Sequence, residues 1–335
     1  MARHCRSQVF VPDEIAIVHV MNRIARKAFL FGEDSISSKD FSYRKKWIKE
    51  LVELFAAHFG IDLCHFAILS NHFHFIFRSR PDIVACMSDF EVARRWLNIC
   101  PVKKDKLGVP IPPTVHQINA ETQDPERIAE LRNRLSDISW WMRLLSQRVA
   151  SRANREDGQT GRFFQGRFKA VRLESEEAIL ACSAYVDLNI IRAAMADTLI
   201  DSYFSSIQNR IAALLGEEEA DCSLARFTME ERLSSNPSES PRCSDDGLHC
   251  ISLEDYIELL EWTVGLLRQK DTIEPNRNYP AVIDRLGLGI QEWCDLANNY
   301  CRLAPSPTKA TIGPRSINGR KSRNGEDDES VGCPC

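Results

Sequence analysis

The spacing of apolar residues over the first 80 positions predicts a strand, a helix and two further strands. Residues 15–23 are rich in β-branched side chains, which favour a strand. Apolar residues recur at helical spacing over residues 41–59, and Gly60 stands where a helix C-terminal cap is common. Residues 61–69 and 72–78 are two apolar runs separated by a very short turn, so they predict an antiparallel hairpin.

Residues 81–160 interrupt this pattern as a long and mostly helical insertion. Residues 89–97 are amphipathic, whereas residues 101–113 are rich in proline and break regular structure. Residues 124–155 repeat their apolar positions as one long helix does.

After the insertion, residues 162–173 alternate between basic and apolar or aromatic side chains, which predicts another strand. Ser175, followed by two glutamates, is a helix-start signal for a helix over residues 178–196. The order strand, helix, strand, strand, then strand and helix, predicts an α+β fold. Its antiparallel sheet carries helices on one face.

The C-terminal part has a different composition. Residues 216–250 are acidic and rich in Ser and Pro, which predicts a linker, and residues 251–303 form a small region with two amphipathic helices. Residues 304–335 read as a disordered tail. The first domain is therefore expected to span residues 10–215.

Composition places the chain among ordinary globular proteins. It has 335 residues, of which 44% are hydrophobic and 27% charged. No apolar run approaches the roughly 18 residues of a spanning helix, and the basic N-terminus leads into no signal-peptide apolar region. A cytoplasmic location is the expectation. The 12 cysteines form no Cys-x-x-Cys pair, so a zinc ribbon or a thioredoxin-type motif is unsupported.

Charge is distributed unevenly along the chain. The net charge of −4 argues weakly against a nucleic-acid partner. However, residues 1–215 hold 30 Lys and Arg against 25 Asp and Glu, whereas residues 216–335 hold 13 against 22. A basic first part and an acidic second part indicate different roles, since clustered positive charge determines phosphate affinity.

The strand at residues 72–78 contains two histidines with one apolar residue between them. Because alternate residues of a strand point to the same face, His72 and His74 are expected to project together. Two imidazoles in this relation can share one metal ion. Such a pair on its own is more often structural, so its context decides.

The late helix supplies that context. Tyr185 and Asn189 are four residues apart and share one helical face. A tyrosine can act as a nucleophile, and an asparagine oxygen is a suitable ligand for a hard divalent ion. Each also has a structural reading, the tyrosine as a half-buried residue and the asparagine as a helix cap.

Taken in order, these segments resemble the single-tyrosine HUH transposases (His-hydrophobic-His), most closely the REP-associated tyrosine transposase branch. Four segments carry the resemblance, and Ile190 stands where many relatives have proline. The segments are His-Val-Met-Asn-Arg at 19–23, Ala-Ile-Leu-Ser-Asn-His-Phe-His-Phe-Ile-Phe-Arg at 67–78, Gly-Arg-Phe-Phe-Gln-Gly-Arg-Phe-Lys at 161–169 and Tyr-Val-Asp-Leu-Asn-Ile-Ile-Arg-Ala at 185–193. The resemblance covers about residues 10–200, apart from the insertion.

The resemblance implies a ferredoxin-like or RRM-like HUH core, a metal site and a DNA substrate. His72 and His74 would bind Mg²⁺ or Mn²⁺, with Asn189 as the third ligand. Tyr185 would attack a phosphodiester of hairpin-bearing single-stranded DNA, forming a 5′-phosphotyrosine and releasing a 3′-OH. The family includes monomers and dimers, so a homodimer stays open.

A set of basic residues would contact the DNA. These residues are Arg23, Arg78, Arg162, Arg167, Lys169, Arg172 and Arg192. The phenylalanines among them would either stack on unpaired bases or fill the core, and both readings stay open.

Two other functions are compatible with parts of the pattern. One is a domesticated single-stranded nucleic-acid-binding protein without turnover, since similar sheets serve RNA-binding modules. The presence of His72, His74, Tyr185 and Asn189 together argues against it. The other, a zinc metallohydrolase, lacks further His or Cys ligands at useful spacing.

Overall fold

A computed structural model of the chain describes most of its first 303 residues. The described residues are 9–11, 13–25, 31–33, 38–106, 109–217, 220, 222–229, 241–268, 280–285, 287 and 289–303. The strands are β1 (Ile17–Arg23), β2 (Ile61–Ile68), β3 (His72–Ser79) and β4 (Lys169–Leu173). The helices are α1 (Arg44–His58), α2 (Pro81–Cys86), α3 (Asp89–Ile99), α4 (Val115–Thr122), α5 (Pro125–Ser136), α6 (Ile138–Glu156), α7 (Glu176–Asp187), α8 (Asn189–Arg192), α9 (Ser206–Leu214), α10 (Leu253–Arg268), α11 (Ala281–Arg285) and α12 (Ile290–Leu303).

The four strands form one antiparallel sheet in the order β2-β3-β1-β4. The predicted hairpin of β2 and β3 is confirmed, with a register shift between Leu63 and His65. β1 lies between β3 and β4, and its register places Arg23 opposite His72 and Met21 opposite both His74 and Lys169. This order is that of the ferredoxin-like β-α-β-β-α-β arrangement.

One face of the sheet packs against α1 and the helices of the insertion. Phe73, Phe75 and Phe77 of β3 point into this core, together with Val18 and Val20 of β1. Trp141 of α6 lies at its centre, and its ring centroid is 4.8 Å from that of Phe77. The insertion therefore shares the core of the sheet.

The other face is covered by α7 and the C-terminal helices. Ile76 of β3 and Leu173 of β4 pack here with Leu180 of α7, Tyr256 of α10 and Trp293 of α12. The predicted α+β class with an antiparallel sheet is confirmed. The expectation that helices cover only one face of the sheet needs correction. The strand residues that point to the second face are also apolar, so helices must bury that face as well.

The residues predicted as one long helix over 124–155 form two helices. Asp137 separates α5 from α6 with an extended backbone (φ −90°, ψ 111°), and its carboxylate accepts a hydrogen bond from the N–H of Ser139 at 2.6 Å. The predicted strand at 162–173 is regular only from Lys169 onwards. An aspartate that caps a following helix ends the first one, although the apolar spacing continues.

The described part of residues 216–250 differs from the predicted linker. Leu224, Ala225 and Phe227 are buried, as are Cys243 and Leu248. The N–H of Ala225 donates to the carbonyl of Leu63 in β2 at 2.8 Å. A few apolar residues anchor this segment, and its acidic, Ser/Pro-rich average composition conceals them.

The expected tail, residues 304–335, lies outside the described residues. None of the described helices is long and apolar enough to cross a membrane.

Candidate active site

The period of β3 places His72 and His74 on the sheet face opposite to Phe73 and Phe75. The imidazole ring centroids of His72 and His74 are 5.0 Å apart. His19 of β1 projects from the same side. Its ring plane is parallel to that of His74 within 2°, and the two ring centroids are 5.2 Å apart. These three residues define the histidine face of the sheet.

The hydrogen bond between His19 and His74 bears on which nitrogen of His74 keeps a lone pair. His19 Nε2 lies 3.0 Å from His74 Nδ1, so one of these two atoms carries the proton. When His74 Nδ1 donates, its Nε2 is left as an acceptor. That Nε2 is buried and has no hydrogen-bond partner among the described residues. A buried imidazole nitrogen without a partner is unusual and is available to a ligand.

His72 has its tautomer set by a neighbour. Its Nδ1 lies 2.6 Å from Oδ1 of Asn71, an atom that only accepts, so Nδ1 carries the proton and Nε2 keeps its lone pair. Burial, with a smaller effect of Arg23, lowers the pKa of His72 to about 4. Burial also holds the pKa of His74 well below its ordinary value. Both rings are therefore neutral at neutral pH, as metal ligands must be.

Tyr185 of α7 meets the histidine face edge-on. Its ring centroid lies 5.5 Å from that of His74 and 6.1 Å from that of His19. The guanidinium of Arg192 stands 4.3 Å from the Tyr185 ring centroid. The structure thus brings the predicted nucleophile, one predicted metal ligand and a cation together.

Asn189 follows one turn later, at the start of α8. The backbone of the intervening Leu188 is helical (φ −81°, ψ −4°), so α8 nearly continues α7. Asn189 is buried, and its amide nitrogen has no partner among the described residues. The nitrogen and oxygen of a side-chain amide are distinguished only by their surroundings. The unpartnered end of the Asn189 amide is therefore compatible with an oxygen that binds a metal.

The donor atoms fit a divalent cation only if the amide contributes. Within the described part of the chain, no group of three His, Cys, Asp or Glu side chains is arranged to hold a metal ion. A set of two neutral imidazoles and one amide oxygen would leave positions for water and phosphate oxygen, and such a set would suit Mg²⁺ or Mn²⁺ better than a closed zinc site.

A buried polar cluster holds the C-terminal end of α7. The carboxylate of Asp187 accepts hydrogen bonds from Nδ1 of His65 (2.9 Å), the hydroxyls of Tyr256 (2.8 Å) and Ser206 (2.5 Å), and the N–H of Ile207 (3.2 Å). His65 Nε2 in turn lies 2.9 Å from Nε2 of His249. We call Asp187, His65, His249, Tyr256 and Ser206 the Asp187 network. It joins β2, α7, α9 and α10 two residues beyond Tyr185.

The sequence patterns did not predict this network and assigned His65 no functional role. His249 and Tyr256 come from segments assigned to a linker and a separate helical region. The one available signal was a polar residue, His65, inside the apolar run of β2. The contact between His19 and His74 was missed as well, although His19 was placed in the first strand.

Four of the predicted DNA-binding residues lie at the end of the sheet where β3 begins. Arg23 and Lys169 are exposed on the histidine face, opposite His72 and Met21 respectively. Arg162 and Arg167 are exposed in the 162–168 segment, which runs along the end of β1 because Gln165 N–H donates to the carbonyl of Arg23 at 2.8 Å.

The other three predicted DNA-binding residues are placed differently. Arg78 is buried, pairs with Asp62 at 2.7 Å and donates to two backbone carbonyls, so it is held inside the protein. Arg172 faces the opposite side of the sheet and forms a two-pronged ion pair with Glu14. Arg192 donates to the carbonyls of Ala297 and Tyr185. Sequence position alone could not reveal these acceptors.

The aromatic residues of the basic segment belong to the core. Phe163, Phe164 and Phe168 are each at most 8% exposed and pack with the insertion and α1. Of the two readings left open by the sequence, core filling is therefore the one that the structure shows.

Comparison with known proteins gives little guidance. No protein-family model matches the chain, and no curated protein matches it. Among solved structures, one described as the REP-associated tyrosine transposase bound to a REP hairpin matches 75% of this chain and 100% of its own. The identity is 11% and the TM-score 0.36, a likeness too low to support an inference about function.

Proposed function

We propose that this protein is a metal-dependent DNA transposase that cleaves and rejoins single-stranded DNA through Tyr185. The observation that carries the proposal is the position of the Tyr185 ring, 5.5 Å from His74, whose buried Nε2 has no partner among the described residues. A nucleophile beside an available ligand atom is the arrangement that phosphoryl transfer requires.

In the proposed reaction, the phenolic oxygen of Tyr185 attacks the phosphorus of a phosphodiester. The bond from phosphorus to the 3′-oxygen breaks, and that oxygen takes up a proton as the strand leaves with a 3′-OH. The phenol loses its proton, and a 5′-phosphotyrosine links DNA and protein. Attack by a 3′-OH on this ester reverses the step without ATP, since a phosphodiester replaces a phosphodiester.

His72, His74 and Asn189 would hold the cation. A bound Mg²⁺ or Mn²⁺ would polarise the scissile phosphate and so lower the demand on a weak nucleophile, given that a free tyrosine has a pKa of about 10. His19 positions His74 through their 3.0 Å hydrogen bond. Partners of this kind fix the orientation and tautomer of a ligating imidazole.

The remaining groups would orient the DNA. Arg23 and Lys169 stand on the histidine face with exposed side chains and would pair with phosphates on either side of the reacting one. Arg192, at 4.3 Å from the centroid of the Tyr185 ring, would place a positive charge over the ring that becomes a phenolate.

The test is transfer of a label to the protein. The substrate is a DNA hairpin flanked by randomised single strands and labelled at its 3′ end, incubated with Mn²⁺ and run on a denaturing gel. Because the tyrosine keeps the 5′-phosphate, a 3′ label must migrate with the protein and a 5′ label must not. Tyr185→Phe is expected to abolish the adduct, whereas Tyr203→Phe, at an exposed tyrosine, retains it. EDTA abolishes it, and added Mg²⁺ or Mn²⁺ restores it.

Two results would contradict the proposal. An undiminished adduct in Tyr185→Phe would remove the nucleophile from the mechanism. Binding of the DNA by the wild-type protein without any adduct, at any metal concentration, would support the alternative of a binding protein without turnover.

A further inference from the structure

A groove on the sheet face opposite to the histidines is lined by aromatic, basic and small polar side chains. It has a volume of about 460 Å³ and lies between α6 and residues 166–168. Trp140 and Phe168 form its apolar part, and Arg143 and Arg167 stand at its edges with exposed side chains. We call it the Trp140 groove. Its volume falls within the range of small-ligand sites.

Two guanidinium groups lie over the ring of Trp140. The guanidinium of Arg143 lies 4.7 Å from its ring centroid and that of Arg134 lies 4.2 Å from it. Trp140 is half-buried and Arg143 is exposed, so the outer guanidinium is in contact with solvent. Bases stack on both indole rings and guanidinium planes.

Polar groups complete the groove. Asn22 and Ser146 line it and are joined by a 3.3 Å hydrogen bond from the amide to the hydroxyl, and Ser139 lies nearby. The one acidic residue that lines the groove, Asp137, accepts the N–H of Ser139, so its charge faces the start of a helix. The net charge at the groove is positive, and hydroxyl and amide groups can pair with base edges.

The groove also lies close to the candidate active site. Asn22 lines the groove, whereas its neighbour Arg23 faces His72 on the other side of the sheet. Phe168 lines the groove and the next residue, Lys169, is on the histidine face. A strand that passes around this end of the sheet would therefore reach from one to the other.

We propose that the Trp140 groove binds an unpaired nucleotide of the DNA strand whose phosphate lies at Tyr185. The base would stack on the exposed guanidinium of Arg143, which Trp140 supports from below, and the phosphate would lie beside Arg167. This inference rests on the proposed function and assigns a role to the insertion, since α6 forms one wall. An acidic peptide would also be attracted by the two arginines, but it offers no flat ring to stack on the Arg143 guanidinium.

The experiment measures the affinity of fluorescent single-stranded oligonucleotides for the full chain by anisotropy. Two ligands of equal length are compared, one with normal bases and one with abasic sugars. Trp140→Ala is expected to weaken binding of the normal strand about 5- to 150-fold, because stacking of one base is worth about 1–3 kcal/mol. The abasic strand is expected to bind wild type and variant alike.

Charge is tested separately with an exposed residue, which avoids loss of folding. Arg143→Glu is expected to weaken binding of both strands and to reduce the salt dependence of binding. Its matched control is Lys104→Glu, an exposed cation of the same insertion that does not line the groove, and it is expected to change nothing.

The inference is overturned if Arg143→Glu and Trp140→Ala both bind the normal strand as wild type does. It is also overturned if Trp140→Ala weakens binding of the abasic strand as much as binding of the normal strand. A third contrary result is displacement of the normal strand by a polyglutamate peptide from the wild-type protein but not from Arg143→Glu, since the groove would then be a site for acidic peptides. Failure of the proposed function is distinguishable, because it shows as loss of the Tyr185 adduct in the wild-type protein whatever the groove binds.

Discussion

Replacement of Asp187 tests whether the Asp187 network holds the helix that carries Tyr185. The carboxylate is fully buried and accepts four hydrogen bonds, two at each oxygen. Asp187→Ala leaves three buried donors without an acceptor, because the Ser206 hydroxyl also has the carbonyl of Phe66 within 3.3 Å. At about 1–3 kcal/mol for each such donor, the free energy of unfolding is expected to fall by at least about 3 kcal/mol.

Asp187→Asn is expected to be milder. The amide oxygen can still accept two bonds, while the amide N–H groups can be accepted by a rotated Tyr256 hydroxyl and by His65 Nδ1 in its other tautomer. Each bond loses a charged acceptor, so we expect a loss of about 2–4 kcal/mol. The exposed Asp13→Asn is the matched control and should change stability by less than about 0.5 kcal/mol.

Urea unfolding followed by circular dichroism measures both variants, with equal slopes required for the comparison. A double-mutant cycle with Tyr256→Phe should give a coupling of about 0.5–3 kcal/mol, because the two groups share a 2.8 Å hydrogen bond. A loss below about 1 kcal/mol in Asp187→Ala, or strict additivity in the cycle, would refute the reasoning. Folded Asp187→Asn should also form less of the Tyr185 adduct.

Three further changes have defined outcomes. Burial lowers the pKa of His58 to about 4, so below about pH 6.5 the unfolded chain binds more protons than the folded one. The free energy of unfolding therefore falls with falling pH, by about 2 kcal/mol at pH 5 for this residue. The urea midpoints at pH 7 and pH 5 should differ less in His58→Gln than in the wild-type protein. Arg78→Ala should cost about 3 kcal/mol of stability by leaving buried Asp62 short of a partner, yet leave the DNA affinity of the folded protein unchanged, and a loss of affinity alone would contradict its structural placement. His19→Asn should weaken Mn²⁺ binding, measured by electron paramagnetic resonance, about 10-fold, whereas exposed His116→Asn should not.

The sheet and the histidine pair were predictable because both depend on local periodicity. Alternation along β3 alone places His72 and His74 together, and the short turn at Asn71 requires a hairpin. The helix bearing Tyr185 and Asn189 was likewise predictable from its start at Ser175. These features need no knowledge of which distant segments meet.

The Asp187 network and the burial of Arg78, by contrast, depend on contacts between segments that are far apart in the sequence. His65, Asp187 and His249 come from β2, α7 and the segment before α10, and only the folded chain brings them within hydrogen-bond distance. Arg78 looked available to DNA because its sequence neighbours are those of an active-site strand. The register that pairs it with Asp62 across the hairpin shows otherwise.

The arrangement of β1 has a consequence for synthesis of the protein. β1 can pair with β3 soon after residue 79 has left the ribosome. Its other partner is β4, so Ile17 cannot pair with Leu173 until that residue has been synthesised. Until the whole insertion has emerged, β1 is a bare strand edge whose backbone groups another chain could pair with. The insertion helices can pack early on the sheet face that carries Phe73, Phe75 and Phe77, but they do not cover the backbone edge of β1. Expression is therefore expected to depend on how fast residues 81–168 are translated and on chaperones that cover the edge in the meantime.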